Sequence, residues 1–143
     1  MILSLFGQPG SGKSTLAKEI SKKFPGSLII DGDELRKTLS NENFSRTGRE
    51  KNIRAANSIA RFIAQRESRL VIMAIVNPFR ALREELKTPP TIDVFEVCLM
   101  SERNLRRDFH CSEFEIGKPD LCVQTDEPIQ DSVDRITKKM QIF

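Results

Sequence analysis

The sequence predicts an α/β fold, a single three-layer domain over residues 1–143 in which a parallel five-stranded sheet is flanked by helices. Two observations predict it. Short apolar runs alternate with helical patterns along the chain, and this alternation is typical of parallel sheets built from right-handed crossovers. No linker, repeat or low-complexity stretch divides the 143 residues, a length that allows one domain to bury one substantial core.

Apolar runs predict the five strands, over residues 2–6, 27–30, 70–76, 92–99 and 121–124. The first run indicates a buried strand, and the run at 70–76 is the most apolar in the chain. Because ligands of parallel sheets bind at the carboxyl ends of the strands, the residues that directly follow these runs are the candidates for a functional site.

Helical patterns fill the segments between the strands. They cover about 13–24, a short stretch around 35–39, about 48–65, about 77–87 and about 101–108. The first of them repeats its apolar residues every four positions and is broken by Pro25-Gly26. The last helix carries one apolar stripe, and Thr125 is its expected N-cap, with the stripe formed by Ile129, Val133, Ile136 and Met140.

Composition excludes several classes of protein. The 23 Lys and Arg exceed the 20 Asp and Glu by a formal charge of only +3, which is too little for tracking along nucleic acid. No apolar run approaches the roughly 20 residues of a membrane span, and the first residues lack the basic flank of a secretory signal. Cys98, Cys111 and Cys122 form no C-x-x-C pair, which favours reduced thiols in the cytoplasm. One histidine, His110, makes histidine metal sites and Ser-His-Asp triads poor candidates.

A glycine-rich loop follows the first strand and opens a helix. Residues 7–14 read GQPGSGKS and satisfy the P-loop pattern G-x-x-x-x-G-K-[ST]. In such a loop backbone N–H groups surround a phosphate, Lys13 reaches the β- and γ-phosphates, and the Ser14 hydroxyl ligates Mg²⁺. The sequence therefore predicts a site for ATP with Mg²⁺ as cofactor, formed by Gly7, Gly10, Ser11, Gly12, Lys13, Ser14 and Thr15. The loop leaves the phosphoryl acceptor open between water, a nucleotide, a sugar and a polynucleotide end.

Two carboxylates follow the second strand. Asp31 and Asp33 flank Gly32, at a strand end that faces the expected γ-phosphate. Phosphoryl transfer needs one acid near the metal and one that accepts the proton of the acceptor hydroxyl. The alternative is structural, an Asx-turn in which Asp33 only caps the next helix.

Six basic residues and two acids lie between positions 46 and 67. Arg61 and Arg66 are expected on a solvated helix face. Arg49 and Asn52 share one face of the first turn and follow a loop that carries Phe44. A guanidinium, an amide and an aromatic ring together favour a grip on an anionic nucleotide.

These motifs, in this order, resemble the adenylylsulfate (APS) kinases. The resemblance covers about residues 1–87 and rests on GQPGSGKST at 7–15, Asp31-Gly32-Asp33 with Arg36, Phe44-Ser45 with Arg49, Asn52-Ile53-Arg54, and Asn77-Pro78-Phe79-Arg80. It implies a P-loop kinase that transfers the γ-phosphoryl of ATP to the 3′-hydroxyl of adenosine 5′-phosphosulfate. It also implies ATP and APS as small-molecule partners, and a homodimer because family members commonly dimerise.

The resemblance assigns roles residue by residue. It implies that Asp33 lies at the acceptor hydroxyl and Asp31 close to the Mg²⁺-phosphate region. Arg36, Arg49 and Asn52 then grip the phosphosulfate, Phe44 stacks on adenine, and Ile75 lines the same pocket. On the donor side, Arg107 and Thr125 fall where the family contacts ATP.

The chain departs from the family in two places. Asn77 stands where the family usually has a serine, and the family's lysine-containing lid is cut down to residues 109–117. Arg103, Arg106, Arg107 or Lys118 are the candidates for replacing the lid's charge, and Phe109 or Phe114 for replacing its aromatic ring. Two alternatives therefore stay open: the same fold acting on another hydroxyl, such as a nucleoside, an antibiotic or a polynucleotide end, or a nucleotide-binding module with weak catalysis.

Overall fold

A computed structural model describes residues 1–103 and 107–142. Its strands form one parallel sheet in the order β2-β3-β1-β4-β5, which confirms the predicted fold class. The strands are β1 (Ile2–Phe6), β2 (Leu28–Asp31), β3 (Val71–Ile75), β4 (Val94–Met100) and β5 (Leu121–Gln124). Each apolar run became a strand with its ends shifted by two residues or fewer.

Helices cover both faces of this sheet. They are α1 (Lys13–Lys23), α2 (Gly32–Thr38), α3 (Arg46–Arg66), α4 (Arg80–Leu86) and α5 (Ile129–Ile142). One apolar cluster lies on the α1 and α5 side and contains Leu16, Ile20 and Ile136. A second cluster packs α3 and α4 on the opposite face and contains Ile53 and Leu82. Among the described residues, no helix is long and apolar enough to cross a membrane.

The prediction of a helix over 101–108 is wrong where it can be compared. Residues 101–103 are not helical, residues 104–106 lie outside the described residues, and Arg107–Phe109 form one 3₁₀ turn. The Ser101 hydroxyl and the Glu102 backbone N–H both donate to the Asp126 carboxylate, at 2.7 Å each. These bonds hold the chain after β4 against the loop between β5 and α5, so that residues 101–103 do not form a helix.

Two predictions for individual residues are also wrong. Thr125 does not cap α5, because that helix begins only at Ile129 and the Thr125 hydroxyl donates 2.6 Å to the Ser11 carbonyl instead. Arg61 is not simply solvated. Its guanidinium donates to the Leu86 carbonyl at 2.7 Å and the Pro89 carbonyl at 2.9 Å, and it therefore satisfies backbone oxygens at the end of α4.

A buried arginine joins the end of β3 to the segment that precedes β5. Arg83 on α4 is 1% exposed, and its guanidinium donates to the carbonyls of Asn77 at 2.8 Å and of Glu115 at 2.6 Å. It also lies 4.1 Å from the centre of the Phe6 ring. Burial is the main influence that lowers the pKa of Arg83. These contacts connect three segments near the carboxyl ends of the strands.

Glu96 on β4 is the carboxylate partner of this cluster. It is almost fully buried and lies 3.2 Å from Lys87 Nζ and 3.8 Å from Arg83 Nε. Burial raises the pKa of Glu96 above its ordinary value of 4.5, against the opposing charges of Lys87 and Arg83. The folded state therefore holds this proton more tightly than the unfolded state does.

This raised pKa predicts a pH dependence of stability. The contribution of Glu96 is fully present below pH 4.5 and is lost as the pH rises through the raised pKa. Glutamine does not titrate, so Glu96→Gln does not lose this contribution. The free energy of unfolding of Glu96→Gln minus that of the wild type should therefore become more positive as the pH rises from about 4 to about 7. Urea unfolding of both proteins across that range measures the difference, and a difference that does not change with pH would contradict the account.

Candidate functional site

The loop between β1 and α1 has the geometry of a phosphate cradle. Gly10 and Gly12 have φ angles of 84° and 95°, in the left-handed region that L-residues with side chains rarely adopt. Gly7 has a different constraint, because a Cβ there would lie 2.6 Å from the Leu99 carbonyl oxygen. The glycines thus allow the loop to curl tightly at the N-terminus of α1, where backbone N–H groups and the helix dipole favour an anion.

Lys13, predicted to reach the phosphates, lies inside this cradle. Its ammonium donates to the Gly7 carbonyl at 2.9 Å, to the Gln8 carbonyl at 2.8 Å and to the Ser11 hydroxyl at 3.3 Å. The residue is 8% exposed. The cation is therefore held against the loop whose N–H groups would surround the phosphates.

Asp31 connects the phosphate loop to the acidic segment after β2. The Ser14 hydroxyl donates to Asp31 Oδ2, while Asp31 Oδ1 accepts from the backbone N–H groups of Asp33 at 3.0 Å and Glu34 at 3.1 Å. Asp31 is thus the N-cap of α2. The alternative in which Asp33 only caps this helix is wrong, and the Asp33 side chain lies in the first turn at the wall of a cavity.

Ser14 and Asp31 fit a magnesium ion that is shared with phosphates. Mg²⁺ prefers oxygen ligands, keeps several waters and takes one or two protein oxygens beside those of a nucleotide. The hydrogen bond between these side chains brings a hydroxyl and a carboxylate together beside the cradle. Within residues 1–103 and 107–142, no group of three or more His, Cys, Asp or Glu side chains could hold a metal ion.

One cavity of about 300 Å³ contains both the phosphate loop and the predicted acceptor residues. It extends from the N-terminus of α1 past the ends of β2 and β3 to the start of α3. The predicted site residues that line it are Gly10, Gly12, Lys13, Ser14, Thr15, Asp31, Asp33, Arg36, Phe44, Arg49, Asn52 and Ile75. The donor and acceptor residues of the sequence analysis are thereby brought to one place.

Arg36 and Phe44 form one wall of this cavity. The Arg36 guanidinium lies 4.2 Å from the centre of the Phe44 ring and donates to the Asn43 carbonyl at 3.0 Å. Burial, followed by the neighbouring charge of Arg49, lowers the pKa of Arg36. Two guanidinium groups near one another repel, so this wall favours a ligand that carries negative charge.

Arg49 and Asn52 form the adjacent wall from the first turns of α3. Arg49 is 7% exposed, and it donates to the Phe44 carbonyl at 3.0 Å and the Phe109 carbonyl at 2.7 Å. Asn52 is 3% exposed and its Nδ2 donates to the Gly32 carbonyl at 3.3 Å. Gly48 allows the preceding loop to pass close to the helix, because a Cβ there would collide with the Asn43 carbonyl.

The segment between β4 and β5 lies over the phosphate loop. Here residues 107–117 are called the strap. Gln8 makes two hydrogen bonds of 2.8 Å to the backbone of Cys111, one to its carbonyl and one from its N–H, and His110 Nε2 lies 3.0 Å from the Pro9 carbonyl. The Phe109 ring lies 5.2 Å from the Phe44 ring. The strap therefore contacts both the phosphate loop and the acceptor side.

Arg103 is a functional candidate to which the sequence analysis gave no ATP-binding role. Its guanidinium donates to the Ser11 carbonyl at 3.4 Å and the Thr125 hydroxyl at 3.2 Å, and it lines the cavity that contains Lys13 and Asp33. Thr125, which the resemblance places where the family contacts ATP, thus lies beside the phosphate loop. The side chain of Arg107 lies outside the described residues. The signal that could have favoured Arg103 is its position shortly after β4, because the site residues lie at the carboxyl ends of the parallel strands.

Gly7 and Ser11 belong to the phosphate loop but do not line the cavity that contains Lys13 and Asp33. Ser11 lines a second cavity of about 370 Å³ on the other side of the loop, together with Gln8, His110 and Phe114. The Ser11 hydroxyl accepts from Lys13, and its carbonyl accepts from Thr125. Hydrogen bonds from Lys13 and from Thr125 thus both hold the phosphate loop at Ser11.

The sheet order, the glycine cradle and the acids at the end of β2 define the class of P-loop kinases. The family model described as adenylylsulphate kinase matches residues 1–108. The chain therefore belongs to the adenylylsulphate kinase family.

Solved structures share the fold over nearly the whole chain. The APS kinase CysC of Mycobacterium tuberculosis, solved in complex with AMPPNP and APS, is 21% identical with a TM-score of 0.81, covering 98% of this chain and 96% of that one. A hexameric APS kinase from Thiobacillus denitrificans is 24% identical with a TM-score of 0.73, covering 98% of this chain and 28% of its own. Shikimate kinase from Aquifex aeolicus is 17% identical with a TM-score of 0.66, covering 99% and 96%.

A curated relative matches only a short stretch. A cytidylate kinase of Methanocella arvoryzae is 49% identical over 37 residues, which cover 26% of this chain and 21% of that protein. Kinases of different acceptors thus resemble this chain, and the acceptor must be argued from the cavity.

Proposed function

We propose that this protein transfers the γ-phosphoryl group of ATP to the 3′-hydroxyl of adenosine 5′-phosphosulfate, giving 3′-phosphoadenylyl sulfate and ADP. The observation that carries the proposal is the cavity shared by the phosphate loop and the Arg36, Phe44 and Arg49 wall. A kinase must hold donor and acceptor in line, because phosphoryl transfer depends on positioning and on neutralisation of charge.

On the donor side, the N–H groups of the loop would bind the β-phosphate, and Lys13 would neutralise charge on the transferring group. Ser14 and Asp31 would hold Mg²⁺, which would neutralise negative charge on the phosphates. Arg103 lies where it can add charge to the phosphates, beside the Ser11 carbonyl and Thr125. Arg103 would thereby replace part of the charge of the family's lid, which this chain lacks.

On the acceptor side, Asp33 would accept the proton of the attacking hydroxyl. Its backbone is fixed by the cap that Asp31 provides, and its side chain is exposed toward the cavity. General-base catalysis of this kind contributes about 10²- to 10⁴-fold. The oxygen attacks the γ-phosphorus, the bond to the β–γ bridging oxygen breaks, and ADP leaves.

Arg36 and Arg49 would bind the anionic phosphosulfate, and Phe44 would stack on its adenine. Burial lowers the pKa of Arg36, and Arg49 is only 7% exposed. Both cations are thus partly shielded from water, and an opposite charge is attracted more strongly in such surroundings than in water. Phe44 is 39% exposed, so one part of its ring is available to a flat ligand.

Four further statements belong to this proposal. The 143 residues act as one kinase domain, its partners are ATP and APS and not nucleic acid, and it works in the cytoplasm. A homodimer is the proposed assembly. Exposed apolar side chains on α3, Ile59 at 38% and Phe62 at 61%, offer a surface that association would cover.

A second candidate is a kinase of the same fold that uses another hydroxyl acceptor. The Phe109 ring lies 5.2 Å from Phe44, and its carbonyl accepts from Arg49. The strap thus contacts Phe44 and Arg49, two residues that are proposed to bind APS. A smaller acceptor would leave these contacts in place, whereas APS must displace them.

An ATP-consumption assay with Mg²⁺, run with and without APS, tests the proposal. ADP formation that depends on APS, and is lost in Lys13→Met, is the expected result. ADP formation that does not respond to APS would contradict it. Stimulation by a sugar, nucleoside or shikimate-like hydroxyl compound instead of APS would establish the second candidate.

A further inference from the structure

A buried asparagine, two residues after the end of β3, has a side chain without a hydrogen-bond partner among the described residues. Asn77 follows β3, is 1% exposed, and lines the cavity that contains Lys13 and Asp33. Neither its Nδ2 nor its Oδ1 has a hydrogen-bond partner in the part of the chain that the structure describes. Buried carboxamides are normally hydrogen-bonded, and an unpaired one destabilises the fold. An unpaired group at the wall of a binding cavity therefore points to a ligand.

The backbone of Asn77 is fixed by its surroundings. Its φ angle is 49°, in the left-handed region where asparagine is among the better tolerated residues. Arg83 donates 2.8 Å to its carbonyl, and the neighbouring Val76 carbonyl accepts from the Gly7 N–H at 3.2 Å. The carboxamide is thus carried by a rigid support between the phosphate loop and α4.

A second carboxamide at the same cavity has an unpaired oxygen. Asn52 donates its Nδ2 to the Gly32 carbonyl, which identifies Oδ1 as the remaining atom, and this oxygen has no partner among the described residues. The cavity wall therefore holds two amide oxygens that need donors and one amide nitrogen that needs an acceptor.

An anionic group can accept from the Asn77 amide nitrogen, but it cannot donate to the two amide oxygens. The sulfate and phosphate oxygens of a phosphosulfate accept hydrogen bonds and have none to donate near neutral pH, and Arg36 and Arg49 already provide donors for them. Hydroxyl and amino groups do donate, and a hydroxyl, or an amino group next to a ring nitrogen, pairs with both atoms of a carboxamide. The unpaired oxygens thus define a second chemical requirement besides negative charge.

We infer that Asn77 is a specificity-determining residue whose carboxamide, with Oδ1 of Asn52, selects acceptors that present a hydroxyl or amino hydrogen beside their anionic group. The inference rests on the proposed function, because it takes this cavity as the acceptor site. Both amide atoms of Asn77 are covered in this conformation. The Asn77 side chain must therefore rotate about its side-chain torsions when the ligand binds. Its amide atoms then form hydrogen bonds with the hydroxyl or amino group of the ligand.

The test compares Asn77→Gly with Asn57→Ala. Glycine accepts the positive φ without strain and removes the carboxamide. Asn57 is the matched control, since it is 6% exposed, its Oδ1 is likewise unpartnered among the described residues, and it does not line the cavity. For Asn77→Gly the KM for APS should rise about tenfold while the KM for ATP stays the same. Asn57→Ala should leave both KM values unchanged, although it loses its bond to the Leu82 carbonyl.

Binding of a series of ligands distinguishes a role in specificity from a structural role. A residue with a merely structural role would not change the ratio of the Kd values for AMP and its analogues. Equilibrium binding is measured for AMP and for three analogues that each lack one donor: 2′-deoxy-AMP, 3′-deoxy-AMP and purine riboside 5′-monophosphate. The wild type should bind at least one analogue about tenfold more weakly than AMP, and Asn77→Gly should bind that analogue and AMP equally. Asn77→Asp keeps an accepting oxygen and should keep the discrimination, which covers the case in which the glycine variant does not fold.

The outcomes separate the inference from the proposed function. Equal discrimination by the wild type and Asn77→Gly would overturn the inference alone. Equal binding of AMP and every analogue by the wild type would also overturn it. If the wild type binds ATP at the phosphate loop but neither AMP nor APS in the acceptor cavity, the proposed function falls, and the inference with it.

Discussion

Replacing Asp33 by asparagine is expected to lower kcat for phosphoryl transfer by about 10²- to 10⁴-fold, with the Kd for ATP changed less than about twofold. Asparagine has nearly the same shape but does not accept a proton. The substitution costs no helix cap, because Asp31 caps α2. Single-turnover transfer and equilibrium ATP binding, measured on the same protein, separate the chemical step from binding.

Glu34 provides the matched control for this experiment. It is the next residue on α2, is exposed and acidic, and does not line the cavity. Glu34→Gln should retain the wild-type kcat. A kcat for Asp33→Asn within about threefold of the wild type would show that general-base catalysis at this position is absent.

Replacing Arg83 by methionine is expected to lower the free energy of unfolding by about 3–5 kcal/mol. The substitution leaves Glu96 buried with Lys87 as its remaining close cation, 3.2 Å away, and leaves the carbonyls of Asn77 and Glu115 without their donor. Removing one member of a buried charge pair costs more than the pair itself is worth. Urea unfolding monitored by circular dichroism measures the loss.

Two further variants separate charge from packing at Arg83. Arg80→Met, on the exposed first turn of the same helix, should change the free energy of unfolding by less than about 0.5 kcal/mol. Adding Glu96→Leu to Arg83→Met should restore part of the lost stability, because the buried carboxylate that has lost one of its two neighbouring cations is then gone. A double variant less stable than Arg83→Met would assign the loss to packing and not to the buried charge.

The features that the sequence predicted well are local. The strands follow from apolar runs between turn residues, and the cradle follows from glycines at fixed spacing around Lys13, so neither depends on distant residues. Arg49 and Asn52 line the same cavity, as the sequence predicted, because α3 places them one turn apart on the same face; their role toward an acceptor stays a prediction. Such patterns are visible along the chain before it folds.

The features that were missed depend on contacts between distant residues. Residues 101–103 are held out of a helix by Asp126, and Thr125 is drawn to the Ser11 carbonyl, 114 positions away. The environment of Arg83 involves β4, the end of β3 and the strap, which the sequence separates widely. No local pattern indicates that Asn77 is buried with its amide unpaired among the described residues, because its burial arises only when these segments pack together.

The central claim is that donor and acceptor meet in one cavity, and following the transferred group tests it most directly. ATP labelled in its γ-phosphoryl group is mixed with the Mg²⁺-loaded protein and APS, and the nucleotide products are separated and identified by mass spectrometry and ³¹P NMR. The account predicts that the label lies on the 3′-oxygen of 3′-phosphoadenylyl sulfate. Label found only in inorganic phosphate, with APS bound and unchanged, would contradict it.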